Sequence, residues 1–291
     1  MTEILILSSK NYPDSETINY GDCILIKTDS ELIIYDCGHE RHAEAVLSYM
    51  DQNNISTAKL LLSHNDSDHF NGIPKLLESG RITVIKTVLL LKYKDEILDR
   101  IDDSRKTRES VTKQILDLYD NIAKLSGAPL EDIYEHPEDV CSGVSIVGPD
   151  FEYMIDTVAK RLDGREGDTQ DGETAVNATS IQISVNIGNH KVLLCGDCSF
   201  ASIEDKVRDY QCIQLPHHGK VKQAEAIWEK KWNQAKDFYV ISDNTGTSNG
   251  GSDKLDTTGH RVYNTKEHDN VKITYSLFSA SAISTGRTLG H

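Results

Sequence analysis

The sequence has no long apolar run and few basic residues. Among 291 residues, 31 are lysine or arginine and 46 are aspartate or glutamate, which gives a formal net charge of −15 at pH 7. A surface this acidic argues against broad electrostatic capture of long duplex DNA or of anionic membranes. The apolar residues 4–7 follow no basic start and are too few for a signal peptide or a membrane span. We therefore expect a soluble, cytoplasmic protein.

Cysteine is also sparse, with six residues scattered through apolar segments. This pattern favours small buried side chains in a reducing compartment over a disulfide framework. Cys195 and Cys198 do match the C-x-x-C pattern of redox sites, but they follow a predicted strand, and Asp197 between them suggests another role. The sequence shows no internal repeat, and its length suits a single α/β domain covering residues 1–291.

The most informative stretch is residues 60–72. An apolar run at 60–62 predicts a buried strand, and a helical pattern resumes at Ile73. Between them, six positions hold four candidate metal ligands, namely His64, Asp66, Asp68 and His69. A divalent cation would turn this dense group of imidazoles and carboxylates into an ordered site. The alternative is an ordinary solvated loop after a buried strand.

This run resembles the ligand signature of the metallo-β-lactamase fold, H-x-H-x-D-H, with Asp66 in place of the second histidine. The variant is similar to the hydrolase domain of the ComEC competence proteins. The resemblance implies an α/β protein with a four-layer αββα metallo-β-lactamase-like sandwich and a helical insertion. ComEC proteins carry membrane segments for DNA import, whereas this chain shows none. We therefore expect a stand-alone relative without a transport role.

The start of the chain resembles the same family. Gly21 and Asp22 lead into a predicted strand at 22–27, and a second strand at 32–35 ends in Asp36-Cys37-Gly38. By resemblance, Asp36 lies behind the metal site and orients a ligand or its loop. The alternative for Asp36 is a turn-forming aspartate before glycine.

The following segments alternate between helix and strand, as in an α/β layer. A helix within 41–49, a strand at 59–62, a helix from Ile73 and a strand at 83–91 are predicted. Residues of about 92–140 then predict a helical insert, with two helices around a polar break near 102–108. A segment of about 163–176, rich in glycine and aspartate, predicts a mobile loop.

The helical insert has two interpretations. It is either an ordinary solvated helical pair or a surface that covers the site or binds a protein partner or a second copy of the chain. Its cationic side chains are Lys92, Lys94, Arg100, Arg105, Lys106 and Arg108.

The second half of the chain supplies further ligands. Predicted strands at 181–187 and 191–195 lead to Gly196-Asp197. In metallo-β-lactamase folds a carboxylate at this place bridges two metals, because its two oxygens can reach two cations, and Asp197 matches it. A helix from Phe200 and a strand at 210–215 precede Pro216-His217-His218-Gly219. This run resembles ComEC-type hydrolases, with His218 as the ligand and His217 facing the substrate phosphate or the leaving group. The opposite assignment stays open.

The resemblance implies two divalent cations. The ligands of the first would be His64, Asp66 and Asp197, and those of the second Asp68, His69, Asp197 and His218. Most relatives carry another histidine where this chain offers Asn177, Thr179 or Ser180, so the first position is rich in oxygen and short of a ligand. Hard oxygen donors favour Mn²⁺ or Mg²⁺ over a nitrogen-dominated Zn²⁺ site. Zn²⁺, and a single bound metal, stay open as alternatives.

Substrate contacts are expected from polar residues near these ligands. Asn177 and Ser180 lie where the missing histidine would stand, and Asn244 begins a polar loop at 244–252. The family usually carries a late histidine near this loop. His260 lies in a stretch that better resembles the closing strand of the family, so it is a secondary candidate.

The resemblance implies phosphodiester hydrolysis, with DNA as the usual substrate of the family. Attack by a metal-bound hydroxide would involve Asp68 and His217 as catalytic residues. The acidic charge favours single strands, ends or small nucleotides, where few phosphates need neutralising. Two alternatives remain. One is hydrolysis of a small ester, lactone or amide on the same metal centre, and the other is a non-catalytic metal-binding module that acts through a partner.

Overall fold

The computed structural model describes residues 1–15, 17–102, 106–137, 140–165, 172–231, 236–242 and 252–279. The strands form two mixed sheets, one of seven strands and one of six. In spatial order, the first sheet contains β13 (Val271–Ile273), β1 (Glu3–Ile6), β2 (Ile24–Lys27), β3 (Leu32–Tyr35), β4 (Ala58–Leu61), β5 (Ile82–Thr87) and β6 (Leu130–Asp132). The second contains β12 (Val262–Asn264), β11 (Phe238–Ile241), β10 (Cys212–Gln214), β9 (His190–Leu194), β8 (Gln182–Ile187) and β7 (Val144–Gly148).

Helices connect and cover these strands. The helices of the described residues are α1 (Glu40–Gln52), α2 (Ser67–Phe70), α3 (Ile73–Glu78), α4 (Lys94–Leu98), α5 (Arg108–Ala123), α6 (Phe151–Leu162), α7 (Pro216–Gly219), α8 (Val221–Lys231) and α9 (Tyr275–Ser279). Shorter 3₁₀ turns occur at Leu90–Tyr93, Asn177–Thr179, Phe200–Ser202, Val207–Asp209 and Ser252–Lys254. Within the described ranges, no helix has both the length and the apolar character that crossing a bilayer requires.

The alternation of side chains along the strands produces two faces on each sheet. Ile4 of β1 and Ile183 of β8 belong to one core between the sheets. Leu25 of β2 belongs to a second core, where α1 and α3 cover the outer face of the first sheet. Helix α8 covers the outer face of the second sheet in the same way. The four-layer αββα sandwich expected from the sequence is confirmed.

The insert contains the two predicted helices, α4 and α5. Their buried side chains, such as Ile97 and Ile115, join the core between the sheets together with residues of α6. The insert also contains β6, which pairs with β5 in parallel and extends the first sheet. Several of its cations form ion pairs within the chain, for example Arg100 with Glu152. Arg105 lies outside the described residues.

Two predicted elements differ from the structure. The strand expected at 83–91 ends at Thr87, because the N–H of Leu89 donates to the buried Asp132 side chain (2.7 Å) and a 3₁₀ turn follows. The helix expected from Phe200 is only a 3₁₀ turn. Here the N–H of Phe200 donates to the side chain of Gln223 (2.5 Å). A side-chain oxygen from elsewhere in the chain is therefore its acceptor.

The segment predicted as a mobile loop is described only at its ends. Residues 166–171 lie outside the described part of the chain. Asp163 and Glu173 at the two ends are both buried. The Glu173 carboxylate accepts hydrogen bonds from the backbone N–H and the hydroxyl of Ser199 (2.6 and 2.9 Å), which ties the segment to the strand end that bears Asp197.

Candidate metal centre

The candidate ligands lie where strands from both sheets end. His64 to His69 follow β4 of the first sheet, Asp197 follows β9, and His217 and His218 follow β10 of the second. β9 and β10 run parallel, so their carboxyl ends lie at the same edge. The sandwich places this edge beside the end of β4, which brings both halves of the sequence into one cluster.

Two glycines let the ligand loop approach the rest of the chain. The carbonyl of Asp68 accepts a hydrogen bond from the N–H of Asp22 (2.9 Å). A Cβ added at Gly21, where φ is +66°, would stand 1.7 Å from that carbonyl oxygen, and one added at Gly38 would stand 2.0 Å from it. Only glycine fits at these two positions, because any side chain would displace the loop.

The potential ligand atoms form three overlapping groups. In each group they lie within 4.8 Å of one another, and the groups are His64, His69 and Asp197; Asp68, His69 and His218; and Asp22, Asp197 and His218. His218 Nε2 lies 3.2 Å from Asp68 Oδ2 and 3.7 Å from Asp197 Oδ2. His69 Nε2 lies 3.4 Å from Asp197 Oδ1. Ligands about 2.1 Å from one tetrahedral ion would stand roughly 3.4 Å apart, so this spacing fits a metal.

Several buried atoms of the cluster have no hydrogen-bond partner among the described residues. Among them are His64 Nε2, His69 Nε2 and Asp197 Oδ1. A buried polar atom left unsatisfied costs about 1–3 kcal/mol, more when it is charged. Because these atoms converge on one place, a divalent cation is the partner that would satisfy all of them.

The second nitrogen of the candidate histidines is held by the protein. His69 Nδ1 donates to Asp36 Oδ2 (2.8 Å), and Asp36 also accepts from the N–H and the hydroxyl of Ser63 (2.6 Å each). His218 Nδ1 donates to the carbonyl of Ser242 (2.9 Å). A proton on Nδ1 leaves the Nε2 lone pair for a metal. Asp36 therefore lies behind the cluster, at the place that the resemblance implied.

The charges of the cluster are strongly coupled. Burial alone would raise the pKa of Asp197, but His218 and His69 outweigh this effect and hold the pKa well below its usual range. Burial alone would lower the pKa of His69, but Asp197 and Asp36 raise it well above its usual value. The protonated imidazoles thus neutralise part of the carboxylate charge, and a bound divalent cation would replace their protons.

One side of the cluster opens to solvent. A cavity of about 230 Å³ there is lined by Asp66, Ser67, Asp68, Asp197 and His217. The Asp66 side chain is 46% exposed, with Oδ2 at 3.5 Å from His64 Nε2. The His217 side chain is 21% exposed, whereas that of His218 is 6% exposed. The neighbouring histidines thus divide, with His218 inside the cluster and His217 on the cavity wall.

The backbone of the histidine pair explains this division. His217 and His218 have φ of +54° and +55°, the left-handed region that non-glycine residues rarely adopt. Such a conformation costs on the order of 1–2 kcal/mol per residue. It turns two consecutive side chains toward different parts of the site, and functional sites are where backbone strain of this kind is concentrated.

The remaining predicted site residues differ in how close they lie to the ligand cluster. Asn177 Nδ2 lies 3.0 Å from His217 Nδ1, beside the cavity. Ser180 is fully buried, and its hydroxyl accepts a hydrogen bond from the N–H of Asp197 (3.3 Å). This position favours a role in holding the Asp197 backbone over contact with a substrate. His260 stacks on Trp228, with ring centroids 3.9 Å apart, and belongs to none of the three ligand groups. Asn244 lies outside the described residues.

Sequence reasoning missed three residues at the centre. Asn19 donates to Asp68 Oδ2 (2.7 Å) from the segment before β2. Asp22 has a fully buried carboxylate beside His218, and Gln214 donates to it (3.1 Å). Asp22 was visible only as part of a Gly-Asp pattern, and nothing local to Gln214 distinguishes it from other strand residues.

The fold and the donor set together define a metal-dependent hydrolase of the α/β sandwich type. Residues 17–243 match the family model described as the metallo-beta-lactamase superfamily. Because this match covers most of the chain, the protein belongs to the metallo-β-lactamase superfamily. A search of curated proteins returned no significant match.

Solved structures show the same fold. The metallo-beta-lactamase fold protein YhfI from Bacillus subtilis is 11% identical, with a TM-score of 0.53 over 94% of this chain and 99% of that one. Tm1679, a metal-dependent hydrolase of the beta-lactamase superfamily, is 14% identical, with a TM-score of 0.51 over 94% of this chain and 98% of that one. At this level of identity, the likeness extends to the fold alone.

Proposed function

We propose that this protein is a metal-dependent phosphodiester hydrolase, a nuclease acting on DNA single strands or ends, or on small nucleotides. The observation that carries the proposal is the cavity at the centre, whose five lining residues are all polar. An ester or lactone substrate with an apolar acyl group would find no matching surface there. A hydrated phosphoryl group would suit these walls once cations offset their carboxylates.

The ligand assignment follows from burial and spacing. Asp197 belongs to one group of potential ligands with His64 and His69 and to another with Asp22 and His218, so it would bridge two cations. His64 and Asp66 would complete one position, and Asp68, His69 and His218 the other. Many of the donors are carboxylate oxygens, which suits Mn²⁺ or Mg²⁺, while the imidazoles also suit Zn²⁺. When bound, such cations polarise a phosphoryl oxygen and lower the pKa of a water.

His217 is the residue that would donate a hydrogen bond to the substrate from the cavity wall. Its Nδ1 accepts from the Asn177 amide (3.0 Å), so the ring proton of a neutral imidazole sits on Nε2. Burial lowers the pKa of His217, which keeps the ring neutral at neutral pH. Nε2–H can then donate a hydrogen bond to a phosphoryl oxygen of the substrate, where negative charge develops during the reaction. Asn177 is the positioning residue for this ring.

The choice of substrate rests on charge and on the histidine run. The net charge of −15 disfavours long duplexes, because each phosphate contact would need local cations that this surface has in short supply. Single strands, ends and nucleotides present few phosphates. The Pro216–Gly219 run also resembles the ComEC hydrolases, which supports a nucleic-acid substrate.

The test uses metal-free protein and defined substrates. Single-stranded DNA, duplex DNA, a cyclic dinucleotide and bis-p-nitrophenyl phosphate are each incubated with Mn²⁺, Mg²⁺ or Zn²⁺. We expect metal-dependent cleavage that His217→Ala reduces by about 10²–10³-fold, the usual effect of removing one hydrogen-bond donor to a developing negative charge.

His268→Ala is the matched control, because His268 is exposed, belongs to none of the three ligand groups and donates from Nδ1 to the Asn264 carbonyl (3.1 Å). It should leave the rate unchanged. If folded, metal-loaded protein cleaves a p-nitrophenyl ester and none of the phosphodiesters, the proposal is wrong and the protein is a hydrolase of small carboxylic esters.

A further inference from the structure

A buried polar pair underlies the metal centre and is not part of the ligand assignment. Gln214 is the last residue of β10 in the second sheet, and Asp22 stands just before β2 in the first. Both are fully buried. The Gln214 amide Nε2 donates to Asp22 Oδ2 (3.1 Å), so this contact joins the two sheets directly below the cluster.

The other end of Gln214 contacts the backbone that leads to Asp197. Its Oε1 accepts from the N–H groups of Cys195 (2.9 Å) and Gly196 (3.3 Å). These peptides come immediately after β9, where pairing with β10 has ended. Buried N–H groups require acceptors, and here one side chain supplies the acceptor for both. The position of Gln214 therefore fixes the backbone of the two residues that precede Asp197.

Asp22 contacts the other half of the site. Its Oδ1 lies 3.3 Å from His218 Nδ1, which also donates to the Ser242 carbonyl (2.9 Å). Because Nδ1 donates to the Ser242 carbonyl and lies beside the Asp22 carboxyl group, the proton stays on that nitrogen and Nε2 faces Asp68 and Asp197. A carboxylate thus orients the histidine from behind.

The position of Asp22 among other buried acidic side chains favours a cation in the cluster. Asp22 adds a buried carboxylate to a region that already contains Asp36, Asp68 and Asp197. A buried charge is tolerated only when it is paired, and repulsion among close carboxylates raises its cost further. A merely structural contact between the sheets would not need a charge. A carboxylate at this place is favourable if a divalent cation balances the cluster.

We propose that Asp22 and Gln214 form a brace that sets the spacing between His218 and Asp197 for one cation. Asp22 positions the imidazole, Gln214 positions the backbone before Asp197, and their mutual hydrogen bond couples the two. The brace rests on the metal centre of the proposed function and adds two positioning residues to it.

The test is a titration of metal-free protein with Co²⁺, whose visible absorption reports the ligand geometry. The variants are Asp22→Asn, which turns an amide N–H₂ or a weaker acceptor toward His218, and Gln214→Met, which keeps the size and removes all three hydrogen bonds of the Gln214 side chain. We expect each to weaken Co²⁺ binding by about 10–100-fold, as for other residues that hold metal ligands, and to shift the absorption bands.

Asp237→Asn is the matched control. Asp237 is also buried and paired, with Lys231 Nζ at 3.0 Å, but it precedes β11 at the end of the sheet opposite to the metal centre. The Asp237→Asn variant should have a lower free energy of unfolding, since loss of a buried pair acts on stability. Its Co²⁺ affinity should stay within about twofold of that of the unchanged protein, and its absorption spectrum should be the same. This separates a positioning effect from a general loss of structure.

The outcomes decide between a positioning effect on the metal site and a general loss of structure. If folded Asp22→Asn and Gln214→Met both bind Co²⁺ within about twofold of the unchanged protein and show its spectrum, the brace is wrong. If Asp22→Asn does not fold, the uncharged Gln214→Met decides alone. Co²⁺ binding is measured without a phosphodiester, so failure of the brace and failure of the proposed reaction are separate results.

Discussion

The two sides of the metal centre are built differently. The closed side consists of Asp68, His69, Asp197 and His218, whose side chains are at most 9% exposed. The open side consists of Asp66, which is 46% exposed, and His217, which is 21% exposed, with the buried His64 behind Asp66. The closed side is organised before a metal binds, whereas the open side leaves room for a substrate to complete the site.

Hydrogen bonds to the ligands account for this difference. On the closed side, Asp36 holds His69, the Ser242 carbonyl holds His218, and Asn19 donates to Asp68. On the open side, hydroxyl groups meet His64 from behind, with Ser63 Oγ at 2.9 Å from its Nδ1, and Asp66 is left largely to solvent. Ligands held in advance lose less freedom when a cation binds, so the closed side should bind it more tightly.

The strongest test of this comparison is Asp68→Ala on the closed side. It removes a buried ligand and the acceptor of Asn19, so we expect metal affinity to fall by more than about 100-fold, beyond the usual effect of an outer residue. Metal content after dialysis against a fixed free Zn²⁺ concentration measures it. Retention of metal at the original affinity would show that the closed side is not the tight position.

The next test is the pH dependence of stability. His42 is buried behind Gly21, whose carbonyl lies 3.2 Å from its Nε2, and burial lowers the pKa of His42 to about 4. The unfolded chain takes up this proton near pH 6.5, so the stabilisation is complete above that pH and is lost as pH falls toward about 4. Between about pH 7 and about pH 4.5 this loss amounts to about 2 kcal/mol.

Urea unfolding of His42→Gln measures this loss, because glutamine can donate to Gly21 without titrating. The decrease in unfolding free energy over that pH range should be about 2 kcal/mol smaller in the variant. His268→Gln, at an exposed histidine, should keep the original decrease. An equal decrease in all three proteins would mean that His42 is not held neutral behind the closed side.

The smallest effect is expected for Asp66→Ala on the open side. Its exposed carboxylate contributes to one cation position only, so we expect about a tenfold loss of affinity for the second ion and an unchanged affinity for the first, since exposed charges interact through water. Isothermal titration with Mn²⁺ resolves the two steps. Loss of the first step in this variant would remove the distinction between the sides.

The sequence alone determined the features that depend on short spacing. The ligand run from His64 to His69, Asp36 before a glycine and Asp197 after a strand were all visible, because each lies within a few residues of a recognisable strand end. The four-layer sandwich followed from the resemblance to the metallo-β-lactamase family, and the two helices of the insert followed from helical periodicity. Strand and helix ends were less certain, since Asp132 and Gln223 take backbone N–H groups from far along the chain.

The tertiary structure decided what depends on the contact between the two sheets. It separated His218 from His217 through two left-handed residues, and it placed Asp22 and Gln214 together although they are 192 positions apart in the sequence. No local pattern encodes such a pair, because the register of the strands and the packing of the sheets bring it together. The candidate ligands and Asp36 are therefore readable in the sequence, whereas the contact between Asp22 and Gln214 becomes visible only in the fold.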